Sequence, residues 1–384
     1  MAAYNYEDLK KIYHDFEHPV AVLKVAERDF SENNNAFILN DIEVELTCGF
    51  EASMATFCIY NVFSKYTSKF ELDSLKKYVQ LGSKVELSLG YLDQTRTVFL
   101  GVITRVNFIY ENESHPYVQV TAMDIKGIMM AGGFAKQLKA ECYSEAVKEL
   151  FTRTAYNKMQ QYGMMSLEID DTPDKRASEG GKGSDTRTIE VTNESDYEFV
   201  VRAAKRYNYE FFAHCNTVYF RKAKKNKEIL MEMGPGTGLL GFDIGYDITG
   251  LSGQVEVRGM DNGKGQAIQA KEKLNNKVSG GSHAKALLKG SVKVYTDPTI
   301  SSAEEAKNRA TFLAEQISYR LGSAECKCVG LPELVPGRFI KITALGEPAD
   351  NSFYLQTVRH VLRGEEGFKT YLEGKTCAMN YEPR

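Results

Sequence analysis

The chain has 384 residues and a mass of 43.1 kDa, more than one hydrophobic core usually holds, so two or three domains are expected. Its hydrophobic fraction of 43% and charged fraction of 26% are typical of a globular protein and exclude a disordered or collagen-like chain. With a net charge of −3, it lacks the bulk positive charge that would hold nucleic acid or an anionic membrane. No apolar run approaches the roughly 20 residues of a membrane helix, and the N-terminus shows no signal-peptide pattern. We therefore expect synthesis in a cytoplasm and no membrane insertion.

The first 130 residues are predicted to form a tube-like β-barrel domain. Short segments rich in β-formers and separated by turns favour six antiparallel strands. The predicted strands cover residues 19–25, 40–47, 55–60, 84–89, 97–108 and 117–122. A short helix is predicted around 72–81, and Gly101 indicates a bulge or a tight bend inside the fifth strand.

Residues 131–246 are predicted to be an α/β insertion domain of helices and a β-hairpin. A helix is predicted over 144–157, and the capping box of Ser195 and Glu198 opens a second helix before the hairpin of residues 209–220. Charge-dense, Gly-rich residues 170–187 predict an exposed loop.

Residues 247–384 are predicted to form a second tube-like β-barrel domain with an inserted helix at about 302–321, which Ser302 and Glu305 would cap. Residues 261–290 have no strong period and predict an excursion from this domain. The predicted strands cover 254–258, 323–329, 338–343, 352–362 and 368–372. The predicted fold class is therefore α+β and mainly β, with two antiparallel barrels and an α/β insertion between them.

The two β regions share a pattern that indicates an internal duplication. In each, a strand that begins at a glycine is followed by a polar loop, a second strand, an acidic turn and a last strand. The aligned landmarks are Gly82 with Gly337, Phe99 with Phe353, and Arg105 with Arg359. The alternative is that any two antiparallel meanders look this similar.

Two similar modules in one chain have a consequence for symmetry. Closed assemblies repeat one interface around an axis. Three chains of two modules each would form a ring that is threefold in sequence and nearly sixfold in shape. Such a ring would join a sixfold partner to a threefold partner without any catalytic group.

Several segments, taken in order, resemble the phage late control protein D family. They are residues 195–212, Val218–Lys222, Gln254–Asp261, the Ala-rich helix after Ser302 and Gly330–Gly337. The resemblance spans most of residues 35–375. It implies the central hub of a contractile-tail baseplate, as in phages, R-type tailocins and related injection machines, and it extends to the front part of the type VI spike protein.

The resemblance further implies a homotrimer of chains with two tube-like barrels, which joins the sixfold tail tube to the threefold spike. Expected partners are the tail tube protein, a separate spike protein and other baseplate proteins, in a particle assembled in a bacterial cytoplasm. The chain departs from fused spike proteins because it ends soon after the second barrel. Spike and wall-cutting functions are therefore expected on other chains.

No catalytic, cofactor-binding or metal-binding residue is predicted, because each candidate has a simpler structural explanation. His214 and Cys215 favour a hairpin turn over a thiolate–imidazole pair. The segment 234–238 lacks the Lys-Ser/Thr of a phosphate loop and is interpreted as a domain linker, and 280–284 as a flexible stretch. The cysteines at 326 and 328 are close in sequence, but no second Cys or His cluster stands near them to complete a zinc site. We interpret them as two small side chains in a strand.

Charged runs are also interpreted structurally. The acidic pairs at 170–171 and 365–366 lie in charged loops with no aromatic platform beside them, which favours solvation over a glycosidase site. The basic run 221–227 favours a solvated loop over stable nucleic-acid binding. Alternatives to the baseplate hub are a hub of a type VI-like or extracellular effector-delivery system, a cell-wall or carbohydrate-active enzyme, and a lectin-like adhesin.

Overall fold

The computed structural model describes residues 2–31, 36–111, 114–131, 134–174, 189–261, 265–274, 281–300 and 302–380. Within these ranges the chain is mainly β, and most strands join one large and mostly antiparallel sheet. The loop predicted over 170–187 lies outside the described residues beyond residue 174.

The N-terminal third contributes one half of the large sheet. Its elements are α1 (Tyr6–Ile12), β1 (Pro19–Val25), β2 (Arg28–Asp29), β3 (Ile38–Thr47), β4 (Met54–Tyr60), β5 (Phe63–Ser64), β6 (Lys69–Phe70), β7 (Lys84–Tyr91), β8 (Gln94–Ile109) and β9 (Tyr117–Met123). All six strands predicted here are confirmed to within a few residues at their ends. The helix predicted around 72–81 is wrong, because this segment closes into short turns such as the bond from the Leu75 amide to the Leu72 carbonyl.

A middle region with its own buried core follows. Its elements are α2 (Ile125–Met129), β10 (Phe134–Leu138), α3 (Tyr143–Leu150), α4 (Asn157–Gln161), β11 (Ser166–Ile169), β12 (Ile189–Glu194), α5 (Asp196–Tyr207), β13 (Tyr209–His214) and β14 (Thr217–Lys222). The capping box of Ser195 and Glu198 and the hairpin of β13 and β14 are confirmed. The helix predicted over 144–157 stops at Leu150, where the Thr152 hydroxyl bonds to the Glu149 carbonyl and competes with the helical hydrogen bonds.

The last part of the chain contributes the other half of the large sheet and a separate side domain. The elements are β15 (Ile229–Met233), β16 (Leu239–Tyr246), β17 (Gln254–Asp261), β18 (Gln266–Lys273), α6 (Gly281–Leu288), β19 (Val292–Thr296), α7 (Ala303–Ser318), β20 (Gly322–Val329), β21 (Phe339–Ile342), β22 (Asn351–Arg363) and β23 (Gly367–Thr376). The predicted helix with its Ser302 cap corresponds to α7.

Two predictions for this part need correction. The strand at 254–258 belongs to the side domain, where β17 lies between β18 and β19 and its Val255 and Val257 pack against α7. The excursion predicted over 261–290 contains β18 and α6. Residue patterns missed β18 because its apolar side chains pack against the distant α7. In addition, β15 and β16, inside the range predicted as insertion, pair with β21 and β20.

The two halves of the large sheet have the same strand order. We name the front unit as β1, β3, β4, β7, β8 and β9, and the back unit as β15, β16, β20, β21, β22 and β23. If the six strands of each unit are numbered in chain order, their spatial order across the sheet is 2-3-6-5-4-1 in both units. The units differ in their first strand, which is antiparallel to β7 in the front unit and parallel to β21 in the back unit. The shared order confirms the predicted duplication at the level of topology.

Matching hydrogen bonds define the alignment of the units. The Gly82 amide donates to the Ile103 carbonyl at 2.8 Å, and the Gly337 amide donates to the Leu355 carbonyl at 2.9 Å. One residue later, β8 and β22 each carry a bulge in their pairing with the sixth strand, at Thr104 and Gln356.

The equivalence of Gly82 and Gly337 is thus confirmed, whereas the predicted alignment of the following strand is two residues out of register. Arg105 corresponds to Thr357, Arg359 corresponds to Asn107, and Phe99 corresponds to Asn351. A slip of two residues keeps every side chain on the same face of a strand, so the alternating pattern could not detect it.

The two units share one sheet and one hydrophobic core. No pairing among the described strands closes either unit into a barrel, so the two predicted barrels stay a prediction. The units join where β3 pairs with β22.

Candidate assembly interface

The junction between the two units is a pairing of β3 with the second half of β22. The register runs from Thr47 opposite Thr357 to Ile42 opposite Leu362. The first half of β22 pairs with β21, and β23 covers its other edge. In this way β22 has partners along both edges.

One face of the junction is apolar and faces the core. Val44 and His360 lie opposite each other, and both are fully buried. The His360 Nδ1 atom is 3.0 Å from the hydroxyl of Thr370. Burial lowers the pKa of His360 to about 3, so its imidazole is neutral at ordinary pH.

The other face of the junction carries opposite charges on its two strands. Arg359 on β22 lies 3.3 Å from the Glu43 carboxylate on β3, and Arg363 lies 3.9 Å from Asp41. The Arg359 guanidinium also stacks 4.6 Å from the centre of the Tyr371 ring. Such part-exposed pairs contribute little stability, but their complementarity favours this register over others.

A shallow depression of about 450 Å³ lies on this charged face. Its lining comes from β3, β16, β20, β22 and β23 and mixes acids, bases and Tyr371. In the part of the chain that the structure describes, no group of His, Cys, Asp and Glu side chains is placed to hold a metal ion. Because its lining carries acidic and basic side chains, the depression is a charged surface along the sheet.

A buried polar cluster fastens the middle region to the back unit. The Tyr354 hydroxyl of β22 donates to the Glu210 carboxylate of β13, and Arg221 of β14 pairs with the same carboxylate at 3.2 Å. Arg221 also donates to the Gly337 carbonyl at 2.9 Å. Burial raises the pKa of Glu210, while its hydrogen bond from Tyr354 and the charge of Arg221 oppose that shift.

The basic run 221–227 is therefore more engaged than a solvated loop would be. Besides Arg221, Lys224 lies over the Tyr319 ring at 4.3 Å, and Lys225 pairs with Asp170 at 2.5 Å. Asp170, one residue of the acidic pair at 170–171, therefore has a salt-bridge partner within this chain. Three cations of the run thus contact other parts of this chain.

His214 and Cys215 stand at the turn between β13 and β14, as predicted. The structure nevertheless brings them into contact, with 3.7 Å between Cys215 Sγ and His214 Nε2. Burial lowers the pKa of His214 to about 4 and raises the pKa of Cys215 to about 11. A thiolate nucleophile requires shifts in the opposite direction, so this is a neutral pair.

The glycine-rich segment at 234–238 connects β15 to β16 inside the back unit, which corrects its interpretation as a domain linker. Gly236 and Gly238 adopt positive φ angles there. The segment at 280–284 was interpreted as flexible, but from Gly281 onward it belongs to α6. The cysteines at 326 and 328 lie buried in β20, which confirms the strand prediction.

Among the described strands, two edges of the large sheet lack the neighbour that the junction provides: the edge of β16, which begins the strand order, and the second half of β8, beyond its pairing with β7. Of the strands that the structure describes, only β20 pairs with β16, and only β9 pairs with the second half of β8. Large apolar side chains are exposed along both edges. They are Leu240 (52%), Phe242 (48%), Phe108 (54%) and Tyr110 (59%).

These edge residues were missed from the sequence. The signal was present, because Leu240, Phe242, Ile244 and Tyr246 alternate with period two over one strand. Glycines between them and the assignment of this segment to the insertion hid the strand.

The matches with known proteins extend over both the front and the back unit. A family model described as the Alg8 N-terminal domain matches residues 52–364, most of the chain. The chain belongs to this family. No curated protein matches the chain.

Solved structures share the fold over nearly the whole chain. A tail protein from Neisseria meningitidis is 11% identical, with 94% of this chain and 97% of that chain covered and a TM-score of 0.65. The 43 kDa tail protein of prophage MuSo2 from Shewanella oneidensis is also 11% identical, with coverages of 93% and 98% and a TM-score of 0.65. An E. coli protein described as a component of the type VI secretion system is 10% identical, with coverages of 94% and 79% and a TM-score of 0.51. At these identities the likeness shows a tail-protein fold.

Among the described residues, no helix combines the length and apolarity needed to span a bilayer.

Proposed function

We propose that the chain is the structural hub of a contractile-tail baseplate, a homotrimer whose pseudo-sixfold ring joins the sixfold tail tube to the threefold spike. The observation that carries this proposal is the identical strand order of the front and back units. Three chains would present six units of one topology, which is the condition for a threefold assembly to mimic a sixfold one.

Each unit is proposed to be one segment of a tube-like barrel. The junction of β3 and β22 shows how two units fit side by side within a chain. Repeating that contact between chains would close a ring in which every unit has a similar neighbour on each side. The open edges of β16 and of the second half of β8 support this, since open edges of sheets are usually paired or protected.

The fold likeness to two tail proteins supports a role in a tail. On that ground we propose that the chain is the counterpart of late control protein D and contacts a tail tube protein, a separate spike protein and other baseplate proteins. It would be made in a bacterial cytoplasm and built into a phage, tailocin or injection particle. The likeness to the E. coli type VI component favours, as the second candidate, the same hub in an effector-delivery system.

We further propose that the chain has no enzymatic activity. The neutral state of the His214–Cys215 pair and the pairing of Asp170 with Lys225 support this. Incubation of the purified chain with peptidoglycan should release no soluble fragments, and release above a heat-inactivated control would favour a wall-cutting enzyme.

The assembly state tests the hub directly. Light scattering of the purified chain at micromolar concentration should give three times the mass of 43.1 kDa. Obligate interfaces of this kind usually bury several thousand Å², so the trimer should persist on dilution to about 1 μM. A well-behaved monomer at that concentration would contradict the proposal.

A further inference from the structure

We propose that β16 of one chain pairs with the second half of β8 of a second copy, in the register that β3 and β22 show within the chain. This inference rests on the proposed ring. It adds to the ring the two strand edges that meet and the residues that face each other across them.

β8 and β22 occupy equivalent places in the two units, and so do β3 and β16. β8 and β22 are both fifth strands, and their bulges place Arg105 at the position of Thr357. β3 and β16 are both second strands. Each is antiparallel to the third strand of its unit, which places Glu43 at the position of Asp243. The two open edges thus correspond to the two strands of the junction.

The register of the junction therefore defines a register for the two open edges. Replacing each junction residue by its equivalent gives one set of facing residues between two chains. The set is Arg105 with Asp247, Val106 with Tyr246, Asn107 with Gly245, Phe108 with Ile244, Ile109 with Asp243, and Tyr110 with Phe242. This register follows from strand order and bulge positions alone, so the chemical complementarity of the facing residues is an independent observation.

The apolar face of the transferred pairing is complementary. Phe108 would cover Ile244, and Tyr110 would cover Phe242. At the junction, the equivalent of Phe108 is His360 and the equivalent of Phe242 is Ile42, which are 0% and 5% exposed. Phe108 and Phe242 are about half exposed in the single chain. The edges therefore expose apolar surface at the positions that the junction buries.

The polar face is complementary as well. Arg105, exposed on β8, would face Asp247, exposed at the end of β16. Asn107 would face Gly245, where a Cβ atom would have no neighbour closer than 3.8 Å. The junction carries the same arrangement, with cations on the fifth strand and acids on the second. Opposite charges on the two edges favour this partner and register over like-charged alternatives.

The small hairpin of β5 and β6 is compatible with this docking. Phe70 packs on Phe108 at 5.3 Å between ring centres, and Phe63 packs on Tyr110 at 5.4 Å. The hairpin strands pair only with each other among the described strands, so they form no ladder with the edge of β8. The hairpin therefore holds the two aromatic side chains beside the open edge.

A disulfide cross-link tests the register. The variant Asn107→Cys/Gly245→Cys places two thiols on residues that would lie directly opposite, about 4.5–5.5 Å apart between Cα atoms, within the range of a disulfide. The matched control is Asn107→Cys/Gly241→Cys, whose second thiol lies four residues along the same strand, about 13 Å away. Gly241 also has room for a Cβ atom, so both substitutions are compatible with the fold. The unsubstituted chain gives the background of its seven native cysteines.

After mild oxidation, a non-reducing denaturing gel should show covalent dimers and trimers for the first variant and at most background for the control. Light scattering before oxidation separates the two proposals. A trimer without the 107–245 cross-link, or with equal cross-linking in the control, would overturn the register and leave the hub intact. A monomer would overturn the hub and with it the inference.

Discussion

The junction of β3 and β22 can be compared with the edges of β16 and of the second half of β8, which are equivalent strands that no described strand covers on the corresponding side. At the junction, Val44 and His360 face each other and are fully buried. At the edges, their equivalents are Ile244, which is partly exposed, and Phe108, which is half exposed. The difference shows what a neighbouring strand does to these positions: it buries them. In the proposed ring, the neighbour of the open edges would be another copy.

The two units also show where the fold accepts insertions. The hairpin of β5 and β6 lies between the third and fourth strands of the front unit, and the side domain lies between the second and third strands of the back unit. Neither changes the strand order. Insertions between strands are tolerated because they leave the ladder of the sheet intact.

The largest expected effect comes from placing a charge at equivalent positions of the junction and the edge. Ile42→Asp buries a carboxylate in the junction and should lower the free energy of unfolding by about 4 kcal/mol. Its equivalent Phe242→Asp lies on the open edge and should change that free energy by less than about 1 kcal/mol, while it abolishes the trimer. Urea unfolding and light scattering of both variants measure the two quantities. Loss of stability in Phe242→Asp equal to that in Ile42→Asp would show that the two positions do not differ as described.

Acidification should lower the free energy of unfolding by a smaller amount. It acts on His360 at the junction, whereas the equivalent edge residue, Phe108, does not titrate. The pKa of His360 falls from 6.5 to about 3 on burial, so the folded chain binds fewer protons than the unfolded chain below pH 6.5. The stability due to neutral His360 is present above pH 6.5 and is lost as the pH falls toward 3. Between pH 6.5 and 5 the loss should be about 2 kcal/mol. His214 contributes a loss of the same sign down to about pH 4.

The variant His360→Gln isolates the contribution of the junction, since glutamine keeps a hydrogen-bonding group near Thr370 without titrating. The free energy of unfolding should fall less steeply between pH 6.5 and 5 than in the unsubstituted chain. An unchanged slope would show that His360 does not couple the junction to pH.

The smallest effect is expected from the charges on the edge. Arg105→Glu would face Asp247 of the neighbouring chain and should weaken each interface by about 1 kcal/mol. The dissociation of the trimer at low salt measures this, and the effect should shrink near 1 M salt, where charges are screened within about 3 Å. Adding Asp247→Lys should restore part of the loss. Equal dissociation of Arg105→Glu and the unsubstituted chain would place Arg105 away from the contact.

Much of the sheet could be predicted from the sequence, because local alternation of apolar and polar residues identifies its strands. The glycines at 82 and 337 and the alternation after them were sufficient to detect the duplication. They were not sufficient to align the next strand correctly. Aligning Arg105 with Arg359 instead of Thr357 shifts the strand by two residues, which leaves every side chain on the same face.

The candidate interface was harder to predict because it depends on pairing between distant segments. β15 pairs with β21 in parallel across more than a hundred residues, and no local pattern records such a partner. β16 was assigned to the insertion because its neighbour β20 follows only after the side domain. The exposed edge, and with it Phe242, became visible only when the strand order was known.

The most direct test of the central claim is the symmetry of the assembled particle viewed down its axis by electron microscopy. Three copies with equivalent front and back units should give a ring whose rotational correlation peaks every 120° and, more weakly, at the intermediate 60° positions. A threefold ring without the intermediate peaks would show that the two units do not occupy equivalent places, and would contradict the account.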